Sequence, residues 1–247
     1  MPLYSSDALV LRTYKLAETD RIVVFLTRDR GKRRGVAKGA RRARSRFAGG
    51  LEPLTRASVE YFEKEPSQLV RLNYVDVQHS PLAGGNADAF GHVGYFAELL
   101  DEWAAEADPN EKLFRLAAAV VEVLTITERV DRLARYFEYW LLRLQGLYPS
   151  IARCGRCGES LADGARLVTA DRELCCASCG RAGGGPRLSG EAMQFLLVAR
   201  TTSPEALEAV ELGVAASREL EVTHQSLITM HLEKELRSIR VLRDMRS

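Results

Sequence analysis

The residues best suited to chemistry in this chain are five cysteines, all within the 26 residues from 154 to 179. Four of them form two C-x-x-C-G units, Cys154-Gly155-Arg156-Cys157-Gly158 and Cys176-Ala177-Ser178-Cys179-Gly180, separated by 18 residues. Two residues between cysteines let both sulfurs of a tight turn reach one ion. The glycine after each pair admits the positive φ that aims backbone N–H groups at the thiolates. Two such turns complete a tetrahedral four-cysteine site that suits one structural Zn²⁺, with an iron–sulfur cluster as the lesser alternative. Cys175 is the spare thiol. It replaces Cys176 only with a different turn, so Cys176 is preferred as third ligand while the choice between them stays open. A closed site of four thiolates keeps no position for a substrate, and a module of about 30 residues buries too little to fold alone, so the expected role is structural. Four thiolates around Zn²⁺ carry a formal charge of −2, and Arg153, Arg156 and Arg181 lie close in sequence to offset it.

The second candidate is electrostatic. The net charge of +2 conceals an asymmetry: residues 1–80 hold 16 Lys/Arg against 9 Asp/Glu, and the remaining 167 residues hold 19 against 24. Residues 28–46 carry ten basic side chains and one acid, Asp29. Such segregation marks an anionic partner, because Lys and Arg neutralise phosphates and release counterions without reading sequence. Glycines 31, 35, 39, 49 and 50 place these charges on turns and loops, with no basic helix for a major groove. The expected nucleic-acid site is Lys32, Arg33, Arg34, Lys38, Arg41, Arg42, Arg44 and Arg46, with Phe47 beside them. Barrel-type single-strand binders add aromatic stacking platforms; the candidates are Tyr14, Phe25, Phe47, Tyr61 and Phe62, of which Phe25 reads as core.

These residues need a frame. Residues 7–78 read as short alternating strands: Ala8, Val10 and Arg12 on one face of the first and Leu9, Leu11 and Thr13 on the other, then residues 21–27, 34–38, 56–64 and 68–77, the last two joined around Glu65-Pro66-Ser67. Five strands in about 75 residues suit a small barrel, which leaves no edges exposed. An OB-type barrel is the first expectation and an SH3-like one the alternative. Residues 80–86 break the pattern. Helical periodicity follows over an acidic segment from residue 87, over 111–127 and over 130–146, then from residues 189 and 202, with a last helix over 218–245. The expected class is α+β: a barrel domain over 1–80, a helical domain over 81–150 and 186–247, and the four-cysteine zinc module over 151–185 inserted in it.

The excluded classes narrow the function. No stretch approaches the roughly 18 apolar residues of a membrane span, and residues 1–7 do not begin a secretory leader, so a cytoplasmic location without membrane contact is expected. Residues 31–39 do not fit the phosphate-cradling G-x-x-x-x-G-K-[ST], so no nucleotide cofactor is expected. There is no G-x-S-x-G or G-x-G-x-x-G motif, and His231-Leu232-Glu233-Lys234-Glu235 is not the metalloprotease H-E-x-x-H. His224 and His231 share a helix face and read as structural or solvated, and His79 and His92 as surface. Nothing argues for an enzyme.

The order of basic barrel, helical domain, embedded four-cysteine module and terminal helix resembles the RecO family of bacterial recombination mediators. So do the local runs Ala37-Lys38-Gly39-Ala40-Arg41-Arg42, Ser45-Arg46-Phe47, Leu51-Glu52-Pro53, Leu9-Val10-Leu11, Glu18-Thr19-Asp20 and His231 through Ile239. The resemblance implies an OB-fold that binds single- and double-stranded DNA and anneals complementary strands without ATP, in association with the nucleoid. It also implies two partners, RecR and the single-stranded DNA-binding protein, and help in loading RecA onto DNA coated by that protein. An acidic helix over 88–111 suits neither DNA nor that protein's acidic tail, so a tail site is expected nearer Arg129, Arg132, Arg135 and Arg143. The rival readings are a zinc-ribbon RNA- or polymerase-binding accessory protein and a zinc-bearing DNA-processing enzyme.

Overall fold

The computed structural model describes residues 1–63, 69–83, 87–181 and 183–245, the side chains of residues 87 and 88 excepted. Five strands, β1 (Leu3–Leu16), β2 (Asp20–Thr27), β3 (Gly31–Ala37), β4 (Arg56–Phe62) and β5 (Leu69–His79), close into a barrel in the order β1-β2-β3-β5-β4. All neighbours are antiparallel except β3 and β5, which run parallel. This is the OB-type barrel expected from strand spacing; the turn expected at Glu65-Pro66-Ser67, and residues 84–86 of the expected break, lie outside the described residues. At the parallel joint a Cβ on Gly35 would come within 2.0 Å of Leu72 Cδ1, so glycine is what lets β3 approach β5.

Alternate residues fill the barrel, among them Ala8, Val10, Val23, Phe25, Val59, Tyr61, Leu72 and Val75. As its apolar run predicts, β1 is buried on both sides from Ala8 to Leu11. A bulge between Val10 and Arg12 shifts the pairing from Val10↔Phe25 to Arg12↔Val24. Simple alternation put Arg12 on the inner face with Ala8 and Val10; the extra residue turns it outward.

The helices are α1 (Ala87–Trp103), α2 (Glu111–Leu124), α3 (Val130–Leu144), α4 (Gly190–Ala199), α5 (Val214–Leu232) and α6 (Arg237–Met245). None of the described helices is long and apolar enough to cross a membrane. Asn110 caps α2, its side chain accepting from Leu113 N at 3.0 Å. The chain divides into two compact units, residues 1–126 with 236–247, and residues 127–235. The helices are thus shared between two units, where a single helical domain was expected. Barrel cations explain the first share. The Asp101 carboxylate of α1 lies 3.2 Å from Lys32 Nζ and 3.3 Å from Arg12, Glu111 of α2 pairs with Arg28 at 2.7 Å, and Glu122 pairs with Arg56.

The single last helix expected over 218–245 is broken. Glu233 adopts a left-handed conformation, φ +55, which ends α5. The freed amides at the start of α6 then find an acceptor in Glu98 of α1, which takes bonds from Arg237 N at 3.1 Å and Ser238 N at 2.8 Å. Gly91 accommodates Leu242 across that contact: a Cβ there would lie 2.7 Å from Leu242 Cδ2.

In the second unit, α4 and α5 pack against a small sheet of β6 (Gly164–Val168), β7 (Glu173–Cys175) and β8 (Arg187–Ser189) in the order β7-β6-β8, and α3 packs against both helices. The helix expected after residue 202 is a six-residue 3₁₀ segment, Pro204–Ala209. The unit's interior holds a charged group. Glu138 is fully buried and meets Arg135 Nη2 at 2.8 Å and His224 Nδ1 at 2.8 Å, while the Tyr148 hydroxyl lies 2.9 Å from His224 Nε2. Burial lowers the His224 pKa below its ordinary value, against the pull of Glu138. The neutral ring donates from Nδ1 to Glu138 and accepts the Tyr148 hydroxyl at Nε2.

Two outcomes follow from this buried group. Glu138→Ala, which removes the buried carboxylate that Arg135 and His224 share and leaves Arg135 facing Glu221 at 3.6 Å, should cost about 3–5 kcal/mol in denaturant unfolding. Because the folded His224 resists protonation, the stability it contributes is present above the ordinary histidine pKa of about 6.5 and is lost as pH falls below it. The Tm of the wild-type chain should therefore drop on acidification through that range, and His224→Gln should drop less.

Candidate nucleic-acid interface and metal centre

The basic segment splits into two halves with different fates. In residues 28–34 the cations are engaged by neighbours. Arg28 pairs with Glu111, Arg30 stacks its guanidinium 3.7 Å from the Tyr4 ring centroid, Arg33 pairs with Glu63 at 2.9 Å and Arg34 with Glu106 at 2.7 Å. Lys32 is only 8% exposed and its ammonium donates to both the carboxylate and the backbone carbonyl of Asp101. It is a buried structural cation beneath α1, which removes it from the expected nucleic-acid site.

Residues 38–50 form a loop of successive tight turns. Gly39, at φ +70, donates its N–H to Asp20 Oδ1 at 2.8 Å, and that bond, with one from Thr19, lowers the Asp20 pKa. Arg41 hangs the loop on the β1–β2 turn: its backbone N–H donates to Thr19 O at 2.9 Å, and its guanidinium donates to Glu18 O at 2.7 Å and Ala17 O at 3.2 Å. Further turns close through Arg42 N to Gly39 O, Ser45 N to Arg42 O and Ala48 N to Ser45 O. Lys38, Arg41, Arg42, Arg44 and Arg46 are all exposed. Among the described residues no carboxylate forms an ion pair with any of the five.

Phe47 does not join them. It is 3% exposed and belongs to the barrel core, with the Arg46 guanidinium 4.9 Å from its ring centroid. Expected as a stacking surface, it anchors the loop to the barrel core, because an apolar ring gains more by burial than by exposure among charges. Tyr61 and Phe25 are also buried, Phe62 is half-buried, and Tyr14 stays exposed.

The cysteines come together as their spacing requires. The sulfurs of Cys154, Cys157, Cys176 and Cys179 all lie within 4.8 Å of one another, so these four could hold a metal ion. Each C-x-x-C turn is closed by its glycine: Gly158 N donates to Cys154 O at 2.9 Å with φ +76, and Gly180 N donates to Cys176 O at 2.8 Å. Cys176 is therefore the member of the second pair, and the fully buried Cys175, on β7, is outside the four. Burial opposes ionisation of Cys154, but the amides of Cys176, Cys157 and Arg156 aimed at its sulfur bring its pKa down to about 6. Crowding by the Cys157 and Cys176 sulfurs instead pushes Cys179 up to about 12. Four thiols in this geometry ionise together only when a cation offsets their charge. Arg153 donates to Gly158 O at 3.1 Å, and Arg156 to Cys179 O at 3.1 Å and Asp171 at 2.7 Å, so both arginines brace the turns. Arg181 is exposed.

Of the four arginines expected to meet a partner, two are interior. Arg132 is buried and clamps the 3₁₀ segment by donating to Leu207 O and Glu208 O, and Arg135 is the buried partner of Glu138. Both were expected near a site for an acidic tail, but the segment Pro204–Ala209 covers Arg132 and Glu221 of α5 lies 3.6 Å from Arg135. Arg129 and Arg143 are exposed. Arg143 donates to the Tyr139 hydroxyl at 2.8 Å and lines a cleft of about 510 Å³ with Arg200, Tyr148 and Pro149. No local pattern announces Arg200; only the packing of α4 on α3 brings it beside Arg143.

Barrel, cationic loop and thiol cluster define the class: a two-unit protein with an OB-type barrel and a helical unit carrying a four-thiol group of the metal-binding kind. The family models for Recombination protein O N terminal and Recombination protein O C terminal match residues 1–81 and 85–240. The chain is 41% identical over 180 residues to the DNA repair protein RecO of Koribacter versatilis, covering 71% of this chain and 72% of that one. It is 34% identical over 239 residues to the DNA repair protein RecO of Anaeromyxobacter sp. (strain K), covering 95% and 93%, and 33% identical over 241 residues to that of Geobacter metallireducens, covering 96% of each. The chain belongs to the RecO family of DNA repair proteins.

A strong chelator at neutral pH should lower the Tm of the second unit and release one metal equivalent per chain. Cys176→Ser should abolish that release, and Cys175→Ser should retain it, as measured with a chromogenic metal indicator.

Proposed function

We propose that this protein is a recombination mediator that binds single- and double-stranded DNA through its barrel, over residues 1–80, and anneals complementary strands without nucleotide or catalysis of its own. The observation that carries this reading is the loop of five exposed cations, Lys38, Arg41, Arg42, Arg44 and Arg46, fixed to the barrel by Phe47 and by backbone bonds. Arg34, half-exposed beside Glu106, extends the surface, and Arg33, held by Glu63, borders it. Annealing needs little more than this: two strands repel, and a surface that neutralises phosphates on both lowers the repulsion and raises their local concentration. Base pairing supplies the specificity.

The cluster of Cys154, Cys157, Cys176 and Cys179 suits one structural Zn²⁺, the usual ion of a tetrahedral thiolate set, holding the module over 151–185 within the helical part of the chain. Family membership supports RecR and the single-stranded DNA-binding protein as partners, RecA loading onto DNA coated by that protein as the outcome, and a cytoplasmic, nucleoid-associated location. For the acidic tail of the single-stranded DNA-binding protein, Arg143 and Arg200 flanking the cleft beside Tyr148 are better suited than the buried Arg132 and Arg135, with Arg129 an outlying exposed cation.

The test is annealing of two complementary oligonucleotides coated with single-stranded DNA-binding protein. The protein should accelerate it without nucleotide, and the triple variant Arg41→Glu, Arg42→Glu, Arg44→Glu should not. If about five phosphates are neutralised, log K for single strands should fall against log salt with a slope of about −3 to −4. Binding by the triple variant at wild-type strength would remove the loop from the site, and a strong preference for RNA would favour the accessory-protein reading.

A further inference from the structure

The second unit holds a polar cleft of about 1030 Å³ beside the second C-x-x-C turn, and annealing has no use for it. Its cations come from three places: Arg166 on β6, Arg187 on β8 and Arg181 in the segment after Cys179. Arg166 and Arg187 are directly opposed across the antiparallel pair, so they share a face of the sheet. Like charges so placed weaken a sheet, and one of the three cross-strand pairs that hold β8 is thus repulsive. Nothing neutralises them. Among the described residues no carboxylate forms an ion pair with Arg166, Arg181 or Arg187. Arg166 is held in position: its Nη1 donates to Gly185 O at 2.8 Å, and it crosses Gly180, where a Cβ would lie 3.0 Å from the Cβ of Arg166. Carboxylates line the same cleft. Glu219 accepts from Ser189 N at 2.7 Å, whereas Glu159 and Asp163 are exposed and in no ion pair among the described residues.

We propose that this cleft binds a free nucleoside diphosphate or triphosphate, its phosphates on Arg166, Arg181 and Arg187 and its sugar hydroxyls on Glu159 and Asp163. A guanidinium fork matches phosphate oxygens two at a time, and a phosphate chain between opposed forks replaces their repulsion with attraction to a shared anion. Carboxylates accept hydrogen bonds from hydroxyls, as acidic residues do toward ribose in dinucleotide sites. The volume is on the scale of a small-molecule site, about 300–1,000 Å³. A nucleic-acid strand fits less well, because Glu159 and Asp163 repel a continuous negative backbone, and an acidic peptide meets the same opposition. Among the described residues no aromatic side chain lines the cleft, so phosphates and sugar carry the recognition and the base is left unread. Annealing as proposed above needs no nucleotide, so the ligand is an effector. It ties β6, β8 and the segment after the second C-x-x-C turn together and stabilises the unit that carries the thiols.

The experiment measures affinity and Tm for the full-length chain with two probes, ADP and inorganic pyrophosphate. Both should bind and raise the Tm. Arg187→Gln should weaken both about tenfold through lost charge-assisted hydrogen bonds, while its Tm without ligand stays level or rises because the repulsion with Arg166 is relieved. The double variant Glu159→Ala, Asp163→Ala should weaken ADP relative to pyrophosphate. A DNA oligonucleotide that saturates the chain should leave ADP bound. Failure of both probes to bind, or affinities that Arg187→Gln does not change, would overturn the proposal. A lower ligand-free Tm for Arg187→Gln with pyrophosphate affinity retained would assign these arginines to offsetting the thiolate charge instead. Equal effects of the double variant on the two probes would overturn the placement of the sugar, and displacement of ADP by the oligonucleotide would make the cleft a nucleic-acid contact.

Discussion

A short loop bearing five cations, none held in an ion pair among the described residues, repels itself and offers little surface to bury, so nothing in its own composition gives it a shape. What gives it one is Phe47, seated in the barrel core with Leu51 close behind it. Burying a phenylalanine contributes about 1.5–3 kcal/mol, and here it works against the mutual repulsion of Lys38, Arg41, Arg42, Arg44 and Arg46. The hydrogen bonds from Gly39 to Asp20 and from Arg41 to the β1–β2 turn then define where each charge stands. The cationic surface is thus a product of the hydrophobic core, and a change to that core would be felt first at the charges.

The acidic character of the first helices has the same origin. Read as a sequence, the carboxylates of α1 and α2 suggest a solvated or partner-facing surface. In the fold they are the partners: Asp101 receives Arg12 and Lys32, Glu111 receives Arg28, Glu122 receives Arg56, and Glu98 caps α6. The exposed pairs among these contribute little individually. Their collective effect is selection: they neutralise the cations along the strands, and those of the loop are left facing solvent.

What was legible in the sequence is what depends on near neighbours. The C-x-x-C-G spacing specifies the thiol cluster because the turn is closed within five residues, and the five strands follow from alternation and turn chemistry. What was not legible depends on distant packing. A bulge of one residue in β1 reverses the face of Arg12. The burial of Lys32 and Phe47 is decided by α1 and by the barrel core, that of Arg132 and Arg135 by the 3₁₀ segment and α5. The break at Glu233 shows the same limit: a continuous helix satisfies the local pattern, but Glu98, far away in sequence, supplies an acceptor that makes a second start favourable.

Residues 236–245 complete the unit that begins at residue 1, and the whole of the thiol-bearing unit lies between the two parts. During synthesis the barrel strands emerge first, yet the Glu98 carboxylate and the groove at Gly91 have no occupant until more than a hundred further residues have left the ribosome. The thiol-bearing unit, continuous in sequence, can close before then. The cationic surface is in this way made well before the unit that supports it is completed.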